Sequence, residues 1–217
     1  MSPIDYSLYL VTDAGLSSGR SHRQIVEAAV RGGVTVVQYR EKNASTRRMI
    51  EEALELCQLC RTFGVPFIVN DRLDVALAVD ADGLHVGQDD MPAALARKLI
   101  GPGKLLGVSV ENDAQLFTAL DDGADYVGAS PIFATPTKPD APQPMGLQGL
   151  QELARHASIP IVAIGGINAS NAAEVLRSGA SGLAVVSAIA AAEDVEGAAR
   201  GLRQIIDEER GFRPGAD

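Results

Sequence analysis

Short apolar runs recur along the chain, and each one precedes a segment with the periodicity of an amphipathic helix. Most of the runs are hydrophobic at nearly every position. This pattern is typical of parallel strands whose faces are both covered, whereas a half-exposed strand alternates between apolar and polar residues. Eight runs are predicted as strands, over residues 7–13, 34–40, 66–71, 83–88, 104–110, 124–130, 160–166 and 182–187.

The segments between these runs place apolar residues three and four positions apart, as helices packed on a sheet do. Ser170 and Pro92 stand where an N-cap and a first helical residue are expected. Gly64 and Gly179 follow predicted helices, at a position that favours glycine. The predicted helices cover residues 21–31, 45–63, 72–79, 92–100, 112–121, 147–156, 170–178 and about 194–210.

Eight βα units occupy the whole sequence, and they predict an α/β protein that folds as a single (β/α)8 TIM barrel. The barrel is predicted over residues 1–209, with residues 210–217 as a frayed tail. An open, doubly wound sheet is the structural alternative, because the same units can build it. The closed barrel is favoured because the number of units matches the number that closes it.

The run GASPIFATPTKPDAPQPMG, from Gly128 to Gly146, contains five of the eleven prolines of the chain. Proline lacks the backbone N–H and fixes φ, so this run is neither a helix nor a central strand. It is either a linker between domains or a loop. Two further βα units follow it and are needed to close the barrel, so the run is predicted as the loop after the sixth strand.

The composition limits the kinds of partner that the protein is expected to bind. The formal charge of −9 over 217 residues disfavours nucleic acid as a partner, because binding it needs clustered Lys and Arg. No apolar stretch approaches the roughly 18 residues of a membrane span, and the first residues lack the pattern of a signal peptide. Cys57 and Cys60 lie on one helical stripe and are predicted as core residues rather than a metal or redox pair. These features predict a cytoplasmic protein.

The candidate chemistry lies at the C-terminal ends of the strands, where barrels carry their active sites. Lysine and arginine side chains supply positive charge there, and hydroxyl groups supply hydrogen-bond donors. Glycine pairs and helix N-termini at the last two strands are typical phosphate sites. Together these residues predict an anion site, formed by Arg40, Lys42, Lys138, Ser109, Thr135, Thr137, Gly165, Gly166, Val186 and Ser187.

Asp71 and Asp90 stand at the ends of neighbouring strands, with no His or Cys beside them. Carboxylates alone favour a hard cation such as Mg²⁺ over zinc. Structural alternatives stay open: Asp71 as the N-cap of the third helix, Asp89 or Asp90 as rim residues, and the Arg40–Lys42 segment as a solvated edge. No nucleophile–base arrangement is evident at this face, which favours a reaction driven by stabilisation of a leaving group.

The motifs at these strand ends resemble those of the thiamine phosphate synthase family, in the same order and over nearly the whole chain. The most specific are QYREK, the ND pair followed by GQDD, and TPTK. Tyr39 and Glu111 depart from residues that are common in the family. The motifs are VQYREK (37–42), VNDRLDVAL (69–77), GLHVGQDDM (83–91), GVSVEN (107–112), PIFATPTKPDAP (131–142), GGIN (165–168) and VVSAI (185–189).

The resemblance implies a (β/α)8 barrel that condenses 4-amino-2-methyl-5-hydroxymethylpyrimidine diphosphate with a thiazole phosphate, releasing pyrophosphate. It implies Mg²⁺ on Asp71 and Asp90. Catalytic roles are implied for Lys138, Ser109 and Arg40. The pyrimidine diphosphate would contact Gln38, Tyr39, Arg40, Glu41, Lys42, Asn70, Ser109 and Lys138, and the thiazole phosphate Thr135, Pro136, Thr137, Gly166, Val186 and Ser187.

Three other functions fit parts of the pattern. A thiazole tautomerase of the same fold would be expected to keep a His in the sixth-strand region, and residues 124–146 contain none. A sugar-phosphate epimerase or isomerase lacks an evident proton-transfer pair here. A non-catalytic phosphate-binding barrel would have no reason to retain two carboxylates beside three cations. The partners expected are therefore small molecules, and the sequence leaves open whether copies of the chain form a homo-oligomer.

Overall fold

Parallel strands form a closed barrel in a computed structural model that describes residues 4–17, 19–135 and 143–211. Each strand pairs with its neighbours in the sequence, and the last pairs with the first. The strands are β1 (Leu8–Val11), β2 (Val36–Tyr39), β3 (Phe67–Asn70), β4 (Gly83–Val86), β5 (Leu105–Val110), β6 (Tyr126–Ala129), β7 (Ile161–Ile164) and β8 (Gly182–Val185).

Helices alternate with the strands and cover the outside of the barrel. A single 3₁₀ turn, Ala14–Leu16, follows β1. The helices are α1 (His22–Arg31), α2 (Thr46–Phe63), α3 (Leu73–Ala78), α4 (Ala93–Ile100), α5 (Asp113–Asp121), α6 (Gly146–His156), α7 (Ala172–Arg177), α8 (Ser187–Ala190) and α9 (Val195–Glu209).

Alternate residues of each strand enter two separate cores. In β1, Leu8 and Leu10 pack against the helices, whereas Tyr9 and Val11 face the barrel interior. Successive side chains of a strand point to opposite faces, so the two cores follow from a period of two even though both faces are apolar. This explains why the predicted strands are hydrophobic at nearly every position.

Glycines make room for large rings inside the barrel. Tyr6, Tyr9 and Tyr126 pack there with the imidazole of His85. A Cβ atom on Gly107 would lie 2.2 Å from Cζ of Tyr126 and 2.3 Å from Nδ1 of His85. Glycine at this position is therefore a steric requirement of the ring cluster rather than a means of bending the strand.

The sequence predicted the closed barrel and its eight βα units, and the structure confirms both. Two predicted caps are corrected. Asn171, not Ser170, is the N-cap of α7, and the amide and hydroxyl of Ser170 donate to Asn168. Pro92 is the N-cap of α4 rather than its first residue. The short helix α8 was not predicted as a separate element, because four residues are too few to establish a helical period.

Further predictions concern the cysteines and the chain end. Cys57 and Cys60 are free thiols buried in the outer core, as predicted. Arg210, the first residue of the predicted tail, contacts Ser7 and the carbonyl oxygen of Ser181, whereas residues 212–217 lie outside the described part. Among the described helices, none combines the length and the apolar character that a membrane crossing requires.

We expect Gly107→Ala to lower the free energy of unfolding by about 2–3 kcal/mol, because the added methyl group overpacks the rings of Tyr126 and His85. Urea denaturation measures the change. Gly103→Ala is the matched control, since nothing lies within 4 Å of a Cβ atom at Gly103. Equal stability of the two variants would show that the interior is not sterically limited at Gly107.

Candidate active site

A cavity of about 280 Å³ opens at the C-terminal ends of the strands, with both charged and apolar walls. Its floor is the interior ring cluster, and its rim is formed by the loops that follow the strands. The lining residues include Tyr9, Gln38, Arg40, Lys42, Asn70, Asp71, His85, Gln88, Asp89, Asp90, Ser109, Tyr126, Ser130, Thr135, Gly165, Gly166, Val186 and Ser187.

Most of the site residues predicted from the sequence line this one cavity. Pro136, Thr137 and Lys138 lie outside the described residues. Tyr39 and Glu41 are described but do not line the cavity. The predicted residues that the fold brings together are Gln38, Arg40, Lys42, Asn70, Asp71, Asp90, Ser109, Thr135, Gly166, Val186 and Ser187.

The side chains of Tyr39 and Glu41 lie outside the cavity. Tyr39 follows the inward-facing Gln38, so the alternation of the strand turns it toward the helices. Its hydroxyl donates to Glu52 of α2 (2.9 Å), and its ring is buried. The carboxylate of Glu41 accepts from the backbone N–H of Asn43 (2.7 Å) within its own loop. Neither side chain therefore reaches the site.

Two cationic side chains enter the cavity from the end of β2. Arg40 forms an ion pair with Asp13 at 3.0 Å, and both side chains are largely buried. The backbone N–H of Arg40 donates to the hydroxyl of Thr12 (3.0 Å). Lys42 lines the cavity two residues further along. The ion pair with Asp13, just after β1, fixes the guanidinium, so this part of the rim is preformed.

Asp71 and Asp90 face each other across the ends of β3 and β4. Their carboxyl groups are in hydrogen-bonding contact. Burial, together with the neighbouring Asp90, raises the pKa of Asp71 to about 7, although the charges of Lys42 and Arg40 oppose this shift. Two carboxylates in such contact repel each other when both are ionised, and a cation between them would remove that repulsion.

The backbone around the two carboxylates has an unusual conformation and specific hydrogen bonds. Asp71 has a φ of 61°, a left-handed conformation that Asp and Asn tolerate better than most residues. Its N–H donates to the carbonyl oxygen of His85 (2.8 Å). One carboxylate oxygen of Asp90 accepts from the N–H of Gly87 (2.8 Å). The N-cap of α3 is Arg72, without a side-chain cap, so the alternative of Asp71 as that cap is wrong.

The donor set fits a hard divalent cation. Within the described residues, no group of three or more His, Cys, Asp and Glu side chains could hold a metal. A site of two carboxylates suits Mg²⁺, which usually keeps several waters and completes its shell with substrate phosphates. Zinc, which prefers nitrogen and sulfur ligands in a closed set, is not matched by these residues.

The loops after β6 and β7 pack against each other beside the cavity. The N–H of Phe133 donates to the carbonyl oxygen of Gly165 (3.0 Å), and that of Met145 donates to Pro131 (2.9 Å). Both ends of the proline-rich run are thus anchored at the barrel. A Cβ atom on Gly166 would lie 2.8 Å from Cβ of Phe133. The run is the β6–α6 loop, as predicted, and its middle, 136–142, lies outside the described residues.

His85 lies in the floor of the cavity. Its Nδ1 is 3.0 Å from the hydroxyl of Tyr126, and its Nε2 is 2.9 Å from the hydroxyl of Ser109. Burial lowers the pKa of His85 to about 4. The ring is therefore neutral at pH 7 and carries one N–H and one acceptor nitrogen.

Several lining residues were not predicted from the sequence. Tyr9 and Tyr126 lie inside apolar runs and were treated only as strand residues. Gln88 and Asp89 were noted near the end of β4 but not assigned a role. The inward orientation of Tyr9 could have been predicted from the sequence, because inward positions alternate with the outward Leu8 and Leu10. The orientation of Gln88 could not have been predicted, because the conformation of the loop decides where its side chain points.

Comparison with known proteins places these features in a family. The family model for thiamine monophosphate synthase matches residues 8–189. The "Thiamine-phosphate synthase" of Chloroflexus aurantiacus is 68% identical over 203 residues, which cover 94% of each chain. That of Syntrophomonas wolfei is 53% identical, with 93% of this chain and 96% of the relative covered.

A solved structure shares both the fold and much of the sequence. The thiamine phosphate pyrophosphorylase from Pyrococcus furiosus superimposes with a TM-score of 0.88 at 44% identity, covering 95% of this chain and 98% of that one. The matched span runs from β1 into α8 and contains the strand ends that form the cavity. The chain is an enzyme of the transferase class, and it belongs to the thiamine monophosphate synthase family.

Proposed function

We propose that this thiamine-phosphate synthase condenses 4-amino-2-methyl-5-hydroxymethylpyrimidine diphosphate with a thiazole phosphate, and that thiamine phosphate and pyrophosphate are the products. Family membership supports the activity. The observation that carries the substrate assignment is the pair of facing carboxylates beside Arg40 and Lys42 in a single cavity. A diphosphate needs such a combination of a metal site and fixed cations.

We place the diphosphate of the first substrate at the part of the rim formed by the loop after β2 and the end of β5. Arg40 and Lys42 would contact the leaving phosphates, and the hydroxyl of Ser109 would donate to an oxygen of the same group. Asn70 lines the cavity beside Asp71 and would contact the same substrate. Lys138, which lies outside the described residues, keeps its proposed role as a further cation on the leaving group.

Asp71 and Asp90 would hold Mg²⁺ in this proposal. The bound cation would neutralise charge on the phosphate oxygens as the carbon–oxygen bond breaks. The protein contributes the two ligands and the backbone that holds them. The N–H of Gly87 fixes one oxygen of Asp90, and the N–H of Asp71 is held by the carbonyl of His85. The carboxylate of Asp90 and the backbone of Asp71 are therefore held in place before the substrates bind.

The thiazole phosphate would occupy the side of the cavity formed after β7 and β8. Gly166, Val186 and Ser187 line this side, together with Thr135 from the β6–α6 loop. The absence of a side chain at Gly166 lets a ligand approach the backbone closely. Pro136 and Thr137 belong to the same proposed contact set and lie outside the described residues.

The reaction needs no protein nucleophile in this scheme. Cleavage of the bond between the pyrimidine methylene carbon and the diphosphate oxygen leaves its electron pair on pyrophosphate. The aminopyrimidine ring delocalises the positive charge, and the thiazole nitrogen supplies the electron pair of the new carbon–nitrogen bond. Arg40, Lys42 and Ser109 stabilise the leaving group, while the cavity walls align the two rings and exclude water.

The proposal also includes a cytoplasmic location. Cys57 and Cys60 are both free and buried, and a reducing compartment keeps thiols in that form. Cell fractionation tests the location. Recovery of the protein with a cytoplasmic marker enzyme would support it, and recovery with the membrane or secreted fraction would contradict it.

The purified protein is expected to form thiamine phosphate and pyrophosphate in equal amounts when it receives both substrates and Mg²⁺. Product formation is measured by chromatography and pyrophosphate by a coupled assay. Removal of the metal with EDTA should abolish both signals, and excess Mg²⁺ should restore them. Failure to form product with fresh substrates and Mg²⁺ would contradict the proposed reaction.

Asp71→Asn should lower kcat/KM at least about 100-fold at limiting Mg²⁺, because a neutral amide replaces one of two charged ligands. Asn is the suitable replacement, since it tolerates the φ of 61° at this position better than Ala does. Asp121→Asn, an exposed position at the end of α5, controls for the change in net charge. An unchanged Mg²⁺ dependence in Asp71→Asn would remove this residue from the metal site.

The pH dependence of the free energy of unfolding should reveal the raised pKa of Asp71 in the carboxylate pair. With a folded pKa of about 7 against an ordinary value of 3.8, Asp71 holds a proton in the folded state that the unfolded state has released. Asp71 should therefore make the metal-free protein less stable as pH rises from about 4 to 7, and the difference in stability between the parent and Asp71→Asn isolates this contribution. Asp71→Asn should be more stable than the parent at pH 8 by about 1–2 kcal/mol, allowing for solvent screening.

Mg²⁺ should reverse this loss, because the cation favours the doubly ionised pair. Thermal denaturation should give a larger increase in Tm with Mg²⁺ at pH 8 than at pH 6, and no comparable increase in Asp71→Asn. A Mg²⁺ effect that is the same at both pH values would contradict the coupling between Asp71 and the cation.

A further inference from the structure

A continuous chain of hydrogen bonds crosses the interior of the barrel beneath the cavity. The amide Nε2 of Gln38 is 2.9 Å from the hydroxyl of Tyr9, which is 2.7 Å from the hydroxyl of Tyr126. Tyr126 is 3.0 Å from Nδ1 of His85, and Nε2 of His85 is 2.9 Å from the hydroxyl of Ser109. We call these five residues the relay; all five line the cavity, and Gln38 and Ser109 are its two ends.

The number of protons in the relay restricts its direction. Tyr9, Tyr126 and the neutral ring of His85 carry one proton each, and the relay has four links. The fourth proton must come from one end, either the amide of Gln38 or the hydroxyl of Ser109. If both ends donated, one buried hydroxyl or ring N–H would be left without an acceptor, at a cost of about 1–3 kcal/mol. All four links therefore point the same way.

The structure selects one of the two directions. Nε2 of Gln38, which can only donate, faces Tyr9, so Tyr9 donates to Tyr126 and Tyr126 donates to Nδ1 of His85. The remaining ring proton lies on Nε2 and is donated to the oxygen of Ser109. The hydroxyl proton of Ser109 is then available to a ligand, and so is the side-chain amide oxygen of Gln38.

We propose that the relay is a positioning device. It presents the hydroxyl of Ser109 as a hydrogen-bond donor to the diphosphate, and the side-chain amide oxygen of Gln38 as an acceptor for the ring of the same substrate. This inference rests on the proposed function for the identity of the ligand. Tyr9, Tyr126 and His85 act through the two end residues and touch no reacting atom.

The direction of the relay matters because the ligand at Ser109 is an anion. Phosphate oxygens accept hydrogen bonds, so a serine that donated its proton to His85 would turn a lone pair toward negative charge. In the assigned direction, the ring of His85 occupies one lone pair of the serine oxygen, and the proton points elsewhere. Donors that are oriented before the charge develops stabilise it without a reorganisation cost.

Packing holds the relay in place. A Cβ atom on Gly107 would overlap the positions of both Tyr126 and His85, and one on Gly128 would lie 3.1 Å from Cε1 of His85. The ring of Tyr6 packs against Tyr126 at a centroid distance of 4.8 Å, with the two planes tilted by 34°. Both ring nitrogens of His85 face hydroxyl oxygens rather than a carboxylate in the buried interior, and this setting favours the neutral ring that the count of protons requires.

Nitrogen NMR of histidine-labelled protein tests the direction of the relay in the unaltered chain. The expected result at pH 7 is a single tautomer of His85, with a proton on Nε2 and none on Nδ1. The same tautomer should persist when inorganic pyrophosphate and Mg²⁺ are added. The signal is assigned by its loss in His85→Asn. A proton on Nδ1, or a doubly protonated ring, would overturn the proposal.

Tyr126→Phe tests whether the relay acts on turnover. The change removes one hydroxyl and breaks the two central links, so we expect kcat to fall at least about tenfold, with a mixture of His85 tautomers in the NMR spectrum. Tyr6→Phe is the matched control, because it removes a hydroxyl from the adjacent ring, which packs against Tyr126 outside the relay; kcat and the tautomer should be unchanged. Equal effects of both changes would assign Tyr126 a merely structural role.

A double-mutant cycle separates action through Ser109 from a general loss of packing. If Tyr126 works through Ser109, the double variant Tyr126→Phe/Ser109→Ala should have the kcat of Ser109→Ala alone. Additive losses would contradict the proposal. Should Tyr126→Phe not fold, the spectrum of the unaltered protein still decides the direction. That spectrum is independent of catalysis, so failure of the proposed reaction and failure of the relay give different results.

Discussion

The contact between the carboxyl groups of Asp71 and Asp90 is the interaction on which the account of the site depends. Two acidic groups that meet in a partly buried place are unfavourable when both are ionised, and the raised pKa of Asp71 expresses that cost. A left-handed backbone at Asp71 adds local strain. The fold maintains this arrangement at the ends of β3 and β4, near the cationic side chains that follow β2. In the proposed function, a cation and a diphosphate relieve it together.

The barrel supplies the rigid frame for this pair. Asp71 is tied to β4 by a backbone hydrogen bond, and the same strand carries His85 into the interior. Below the cavity, large rings fill the space that Gly107 and Gly128 leave open. The proposed metal ligands, the proposed serine donor and the ring cluster thus share neighbouring strands. A chemistry without a protein nucleophile depends on such fixed positions, because orientation and electrostatics supply the rate enhancement.

The sequence predicted the parts of the molecule that follow from periodicity. Apolar runs with helical segments between them specify the barrel, and the carboxyl ends of parallel strands necessarily share one face, which brought most candidate residues to one cavity. The side chain of Tyr39 lies outside the cavity although Gln38 and Arg40 of the same motif line it, because a strand turns alternate side chains to opposite faces. The relay could not be predicted, because links such as Tyr9–Tyr126 join residues far apart in sequence through the packing of the interior.

The most direct test of the central claim is a crystal structure of the protein with pyrophosphate and Mn²⁺ in place of Mg²⁺, in which anomalous scattering locates the metal. The account predicts one strong peak between Asp71 and Asp90, bonded to an oxygen of each carboxylate and to pyrophosphate oxygens, with the two carboxyl groups no longer hydrogen-bonded to each other. A peak elsewhere in the cavity, or none beside an unchanged Asp71–Asp90 contact, would contradict it.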